Sequence, residues 1–247
     1  MRPKGYLRAI MMGLLSWGMT FNVWARQDIV PGSRYTSARA AALGDAGLPL
    51  GDDIASGLFY NPALLGRVRK TQIEPVNLML YANSNYVNSL DTNFYQVGSL
   101  SGYAPVLDRH PNQYIGGGGA FLPSFGFPGL GVGILLQSQV AAQSNSDGTV
   151  IYRSLYQVIP ALGTGVRLFS GILRLGYSLQ WVNQAVGLRQ VARDSDELDY
   201  NRSLQQGSGF SHTFGFAVTA PIQFLPSLNL VVRNFLGTRY SASGIGL

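Results

Sequence analysis

The chain has no cysteine and few charged residues, and each shortage excludes a class of protein. Without cysteine there is no disulfide framework, so packing and backbone pairing must provide the stability. Asp, Glu, Lys and Arg make up 12% of the 247 residues, against ~25% in a typical soluble domain. Beyond residue 25, no apolar run is long enough to cross a bilayer as a helix. A transmembrane β-barrel fits both shortages, because only every second residue of its strands faces lipid.

The charges that are present do not indicate a nucleic-acid-binding surface. Lysine is limited to Lys4 and Lys70, and arginine provides the other cations. Of the 18 Lys and Arg, three lie within the first eight residues, which leaves 15 against 12 Asp and Glu. These remaining cations are dispersed rather than grouped, which argues against nucleic acid as a partner.

Residues 1–25 have the pattern of a secretory signal peptide. Three cations precede the apolar run 9–23, and Val23-Trp24-Ala25 forms a small-x-small cleavage site. The apolar run is shorter than the ~20 residues of a membrane-spanning helix, and no cysteine follows it that could carry a lipid. We therefore expect an exported protein that is neither anchored by this segment nor a lipoprotein.

A stretch rich in small residues, 37–65, reads SARAAALGDAGLPLGDDIASGLFYNPALL and contains signals for short helices. A first helix is predicted at 38–43 and ends at Gly44. Turn-forming Gly and Asp residues follow. Asn61 can then cap a second short helix that has Pro62 in its first position. With so much Ala and Gly the stretch cannot build a core alone, so we expect it to pack against a larger structure.

The same stretch resembles the N-terminal plug of FadL-type and PorV-type outer-membrane barrels. The family pattern is an R-x-x-x-(L/M)-G-x-A block, an Asp pair and then Y-N-P-A. The matching plug-motif residues here are Arg39, Gly44, Asp52, Asp53, Asn61, Pro62 and Ala63. Asp45 occupies the place of the family's second glycine, which leaves the details of the first turn open. The resemblance implies a plug over residues 26–69, barrel strands over residues 70–247 and a location in the bacterial outer membrane.

From residue 71 onward, apolar residues recur at every second position, which predicts strands rather than helices. The clearest example is 173–181, where Leu173, Leu175 and Leu179 alternate with Arg174 and Gly176. The pattern predicts seven strands, at 71–82, 114–122, 130–139, 150–168 with a bend at Pro160, 173–181, 210–219 and 228–235. The expected fold class is all-β, a transmembrane antiparallel β-barrel, complete or incomplete, with a small helical N-terminal plug.

The connections between these predicted strands alternate in length. Those at 83–113 and 185–209 are long, 141–149 is intermediate, and 123–129, 169–171 and 225–227 are short. This alternation is typical of outer-membrane barrels, which have long extracellular loops and short periplasmic turns. It places the plug on the periplasmic side. A soluble exported β-sandwich stays open as the alternative.

Seven strands do not close a barrel with an even number of strands, and no C-terminal aromatic strand is present. An eight-stranded barrel is also filled by its own side chains, so it has no room for a plug of thirty residues. We therefore favour the hypothesis that the chain is the N-terminal part of a larger barrel, from a truncation, a frameshift or a split gene. In the competing hypothesis, the plug packs under a small or open sheet.

No residue pattern indicates catalysis, a metal or a cofactor. His110 and His212 have no second ligand at a metal-binding spacing. The aspartates of the plug lack the spacing of a calcium loop, and we expect them to form turns and caps. The glycine run 116–119 lacks the Lys of a P-loop, and we expect it to allow close approach of the plug backbone. The sequence therefore predicts a protein that is not an enzyme.

Three arginines of the predicted strands, Arg167, Arg174 and Arg233, are candidates for the barrel lumen. Arg167 and Arg174 alternate with apolar residues, and a charge that faces lipid at mid-depth costs ~2–4 kcal/mol. We therefore expect both to point inward. The favoured hypothesis is that they pair with aspartates of the plug and hold it in place. The alternative is that they attract an anionic headgroup such as a carboxylate.

Two functions are implied by the resemblance. The first is passive, FadL-like transport of small hydrophobic molecules across the outer membrane, gated by the plug. The alternative is a PorV-like scaffold that docks secreted proteins or a secretion machine at the cell surface. The partners implied are outer-membrane lipid and, depending on the function, a hydrophobic small molecule or secretion-system proteins.

Overall fold

The structure, a computed structural model, describes residues 53–85, 87, 114–145, 148–192, 204–222 and 225–241, without the side chains at 189, 191 and 192. The predicted signal peptide, the first plug helix, Arg39, Gly44 and Asp52 lie outside these residues. Within them the chain is mainly antiparallel β-sheet, which confirms the all-β prediction. Helix α1 (Ile54–Phe59) and a 3-10 helix (Pro62–Arg67) precede the strands β1 (Gln72–Glu74), β2 (Leu78–Ala82), β3 (Tyr114–Phe121), β4 (Ser124–Phe127), β5 (Leu130–Ser144), β6 (Thr149–Leu168), β7 (Leu173–Ala192), β8 (Gln205–Thr219) and β9 (Ser227–Arg233).

The two helices form a continuous buried element, residues 53–67, which we call the helical segment. At its start, the Asp53 carboxylate accepts hydrogen bonds from the backbone N–H and the hydroxyl of Ser56. At the 3-10 helix, Asn61 Oδ1 accepts from the backbone N–H of Ala63 at 3.1 Å, and Pro62 occupies the first turn. Both are the caps that the residue types favour. All residues of α1 are buried.

The strands form one antiparallel meander with the order β1-β4-β5-β6-β7-β8-β9, and β2 and β3 extend it beside the far half of β5. β5 pairs with β4 over residues 130–133 and with β3 over residues 136–143. β3 and β4 are therefore two parts of one strand, interrupted at Leu122 and Pro123, and β1 and β2 are two parts of another, interrupted around Pro75. Proline lacks the N–H that a ladder needs. With each interrupted strand counted once, the described residues form seven strands.

The sheet is open in the described part of the chain. β9 pairs with β8 alone, and at the other edge β1 and β2 pair only with β4 and β3. The strands therefore do not close into a barrel within these residues. Both hypotheses from the sequence, a fragment of a larger barrel and a plug under a small or open sheet, predict an open sheet in these residues.

Three strands, β5, β7 and β8, extend further than the alternation of apolar residues indicates, and β4 lies within the connection predicted at 123–129. The connection predicted at 185–209 is wrong in its bounds, because β7 continues to Ala192 and β8 begins at Gln205. Polar side chains line this extension and bond across the strands, as in Gln157 Nε2 to Gln184 Oε1 at 3.2 Å. Backbone pairing does not require apolar side chains, so the strands continue beyond the residues in which apolar side chains alternate. Pro160 lies within a continuous β6, although the pairing of β6 with β7 is interrupted beside it.

The two faces of the sheet differ in side-chain size and burial. The helix face, which packs on the helical segment, contributes Leu122, Leu135, Ile159 and Val182 to the hydrophobic core. Elsewhere this face presents small and polar residues that are mostly buried: Gly126, Gly131, Gly133, Gly163, Gly165, Gly176, Ser178, Gln180, Ser211, Thr213 and Gly215. The apolar face presents large residues that are exposed or half-buried: Leu130, Val132, Ile134, Leu136, Leu162, Val166, Leu168, Leu173, Leu175, Leu179, Phe214, Leu228, Leu230 and Val232. Leu162 is 54% exposed, whereas Ser178 is 0% exposed. The large apolar residues of this face thus lie outside the protein core.

Candidate functional site

The helical segment rests on a row of glycines that crosses five strands. Gly126, Gly131 and Gly163 are neighbours across β4, β5 and β6, and Gly165, Gly176 and Gly215 are neighbours across β6, β7 and β8. A Cβ at any of these six positions would lie 3.0 Å or less from an atom of the helical segment. Only glycine allows the backbone of a helix to approach a sheet this closely.

The Tyr60-Asn61-Pro62-Ala63 motif occupies the centre of this contact. Pro62 lies directly over Gly176, which is why a side chain at 176 would meet the Pro62 carbonyl group. Asn61 is fully buried, and its Nδ2 donates to Asn229 Oδ1 of β9 at 3.3 Å. The motif residues therefore contact two strands that lie more than 100 residues further along the chain.

Helix α1 covers the neighbouring part of the row. Ile54 packs over Gly126 and Gly131, and Leu58 packs over Gly163. Gln180 Nε2 of β7 donates to the Leu58 carbonyl at 2.9 Å, which satisfies one of the free carbonyls near the end of the helix. Apolar packing and one buried side-chain bond together fix the helix on the sheet.

The three predicted arginines, Arg167, Arg174 and Arg233, all lie on the helix face. None of these three described side chains forms an ion pair with Asp53 of the helical segment. Arg174 is 9% exposed and donates from Nη2 to Thr219 Oγ1 at 2.8 Å. In the described residues no ion pair joins Asp53 to Arg167 or Arg174, since the Asp53 carboxylate bonds to its own helix. The guanidinium of Arg233 lies 5.7 Å from the centre of the Tyr60 ring, a cation–π contact. Close packing and this one cation hold the described part of the segment, while the predicted pairing with Asp45 or Asp52 lies outside the described residues.

At Gly116, Gly118 and Gly119 the close neighbours are not in the helical segment, and the rest of the predicted plug lies outside the described residues. The atoms nearest to a Cβ at Gly116 belong to Tyr114, those at Gly118 to Tyr81 and Ser138, and those at Gly119 to β2. None of these neighbours is in the helical segment. The glycines that do contact the segment come from five strands. They alternate with large apolar residues along these strands, and this alternation could have identified them from the sequence.

The apolar face carries aromatic residues toward both of its ends. Near the short turns, the rings of Phe125 and Phe127 lie 6.0 Å apart. Further along the strands, Trp181 stacks on Phe210 at 6.3 Å. His212 belongs to this second group, and its Nδ1 forms a hydrogen bond of 2.7 Å with the Tyr177 hydroxyl. In the part of the chain described, no three His, Asp or Glu side chains are grouped as a metal site requires.

A cavity of about 390 Å³ opens at the junction of β2, β3, β5 and β6. Its lining includes the side chains of Leu78, Phe121, Leu136 and Val158, which are cross-strand neighbours on the apolar face. Gly119, which has no side chain to fill the space, also lines it. The cavity lies beside the strand interruptions rather than at the contact of the helical segment with the glycine row.

Comparisons of the chain with models of protein families, with curated proteins and with solved structures found no match. None of the helices described here is both long and apolar enough to cross a membrane.

Proposed function

We propose that the sheet is part of the wall of a bacterial outer-membrane β-barrel, with the helical segment as its plug. The proposed function is passive transport of small hydrophobic molecules across the membrane. The observation that supports this most is the distribution of residues over the two faces of the sheet. Around the glycine row the covered side carries mainly glycine, serine and threonine, while leucine, valine and phenylalanine on the other side face outward.

A water-soluble sheet has the opposite arrangement, because burial of apolar side chains drives its folding. Large exposed apolar patches on soluble monomers are uncommon and mark contact with a membrane or a partner. In a transmembrane barrel, apolar residues face lipid and polar residues face the interior. In the part of the sheet around the glycine row, the two faces follow this transmembrane pattern.

The dimensions of the apolar face also support a membrane. On β6 the face extends from Val158 to Leu168, which at ~3.3 Å per residue is about 33 Å. At the usual strand tilt of about 45° this length covers about 24 Å of depth, close to the ~25 Å band of outer-membrane barrels. The aromatic pairs near both ends of the face occupy the levels at which such barrels carry their girdles.

In hydrocarbon, both open edges of the sheet must pair, since unpaired backbone groups there cost several kcal/mol each. Closure therefore requires further strands beside β9 and beside β1 and β2. These strands come either from chain outside the described residues or from a second copy.

The 390 Å³ cavity is apolar and within the ~300–1,000 Å³ common for ligand pockets. Because it lies on the apolar face, it favours a hydrophobic small molecule that reaches the protein from the lipid side. The second candidate is a PorV-like scaffold for secreted proteins. It is favoured by the polar helix face, where Gln137, Ser178 and Ser211 have side-chain atoms without partners in the described residues and suit a water-filled lumen.

Insertion of charge variants tests the membrane proposal. Leu162→Arg places a cation on the apolar face, where lipid contact costs ~2–4 kcal/mol. Leu188→Arg is the control, because Leu188 is as exposed but lies on the opposite face near the end of β7. We expect the control and the wild type to insert into liposomes in a urea-resistant form, and Leu162→Arg to insert poorly. Equal insertion of both variants, or a wild type that stays soluble without detergent, would contradict the proposal.

An uptake assay distinguishes transport of hydrophobic molecules from the role of a secretion scaffold. Inserted wild-type protein is expected to speed the entry of a fluorescent alkyl probe into liposomes. Insertion without any gain in uptake, together with co-purification of secretion proteins from the native membrane, would favour the scaffold instead.

A further inference from the structure

Four arginines meet at the short-turn end of the helix face, around a small cavity. The cavity has a volume of about 80 Å³ and is lined by Gly66, Arg67, Arg69, Arg167, Ser170, Gly171 and Arg174. Arg67 and Arg69 come from the end of the 3-10 helix, and Arg167 and Arg174 flank the turn between β6 and β7. One water needs about 10–15 Å³, so the cavity has room for a small polyatomic group.

This grouping of like charges is unfavourable by itself. Arg167 and Arg174 are direct cross-strand partners, a placement in which like charges destabilise a sheet. Arg174 is 9% exposed, and its Nε has no hydrogen-bond partner among the described residues. Among the residues that the structure describes, no carboxylate lines the cavity. The two acidic residues in the described ranges, Asp53 and Glu74, bond instead to Ser56 and Ser124.

We propose that this cavity binds a phosphate group, either as free phosphate or as part of a lipid headgroup. Guanidinium groups bind phosphate oxygens through paired N–H donors, and here they converge from the helical segment and from the sheet. A bound phosphate also joins the two elements, because Arg67 ends the helical segment, Arg69 follows it two residues later, and Arg167 and Arg174 belong to the sheet. The site rests on the arginine geometry and does not depend on the proposed transport.

Phosphate binding to the full chain in detergent micelles tests the site. Inorganic phosphate is titrated at constant ionic strength and followed by calorimetry. We expect saturable binding to the wild type, and at least about tenfold weaker binding to Arg69→Gln and to Arg167→Gln, since each loses a charge-assisted hydrogen bond. Both side chains are exposed, so the variants are expected to keep the fold, which the urea midpoint of Trp fluorescence verifies. Lys70→Gln removes a neighbouring exposed cation that does not line the cavity, and is expected to bind as the wild type does.

A second arm distinguishes the sources of the phosphate. The same proteins are placed in nanodiscs of phosphatidylglycerol or phosphatidylcholine, and retained lipid is measured by native mass spectrometry. If the source is a lipid headgroup, the wild type retains phosphatidylglycerol and the two arginine variants lose it. If the source is free phosphate, calorimetry shows binding and no lipid is retained.

The proposal is overturned if neither phosphate nor lipid binds to the wild type, or if the arginine variants bind both equally well. Equal weakening by Lys70→Gln would also overturn it, because general electrostatic attraction would then explain the binding. These results are independent of liposome insertion. A protein that inserts but binds no phosphate leaves the membrane proposal intact, and the reverse result leaves the phosphate site intact.

Discussion

Replacement of Gly165 by alanine tests whether the glycine row holds the helical segment on the sheet. A Cβ at this position would lie 2.5 Å from Gly66 N, 2.8 Å from the Pro62 carbonyl oxygen and 3.0 Å from the Leu65 carbonyl carbon. All three are backbone atoms, so no side chain can rotate away, and the 3-10 helix must move by roughly 1 Å to restore ordinary contact. Overpacking of this kind costs about 1–3 kcal/mol.

Two measurements report the effect of Gly165→Ala. Unfolding in urea, with m of about 1–3 kcal/mol/M, is expected to show a midpoint lower by on the order of 1 M. Trypsin is expected to cleave faster after Arg67, Arg69 and Lys70, because the end of the 3-10 helix is released. Gly207→Ala on β8 is the control, since the nearest atom to its Cβ, Tyr240 Cβ, is at an ordinary 3.4 Å. If Gly165→Ala matches this control in both assays, the glycine row does not determine docking.

Three further substitutions probe the same contact by urea unfolding. Asn61→Ala removes the cap on Ala63 and is expected to cost about 0.5–2 kcal/mol, with no loss if the cap is not formed in solution. Leu58→Ala removes a fully buried side chain and is expected to cost about 2–5 kcal/mol, and a cost under 1 kcal/mol would show that α1 is not docked. Arg233→Gln removes the cation over the Tyr60 ring and is expected to cost about 0.5–1 kcal/mol. Restoration by Arg233→Lys would support the cation–π contact, and an unchanged midpoint in Arg233→Gln would contradict it.

The strand positions and the caps could be predicted from the sequence because both depend on neighbouring residues. Alternation along 173–181 shows which side chains share a face, and the structure places Leu175 and Gly176 on opposite faces as that pattern indicates. Asn61 followed by Pro62 likewise predicts the start of a helix from two adjacent residues. Strand ends were harder, since the polar residues beyond Asn183 pair through the backbone and leave no apolar pattern to read.

The site depends on register across several hairpins, which local patterns do not contain. Gly165, Gly176 and Gly215 become neighbours only when β6, β7 and β8 pair with one particular offset. For the same reason, the sequence indicated the run 116–119 as the place of close approach, where glycines are consecutive and conspicuous. Arg67 joins Arg174 only after the 3-10 helix docks above the turn, so the sequence showed the strand arginines without their partners.

The contact of Asn61 with Asn229 also determines the order in which this protein can mature. The two side chains are separated by 168 residues, and the bond of Gln180 to Leu58 closes a separation of 122 residues. Long separations slow the formation of contacts, because chain closure costs entropy before any contact compensates it. The helical segment is synthesised before every strand, yet the sheet surface that it contacts is complete only after β8 and β9 have been synthesised and have paired. Its complete docking therefore follows the pairing of β8 with β9, and a protease that cuts at Arg67–Lys70 would report how many molecules have completed it.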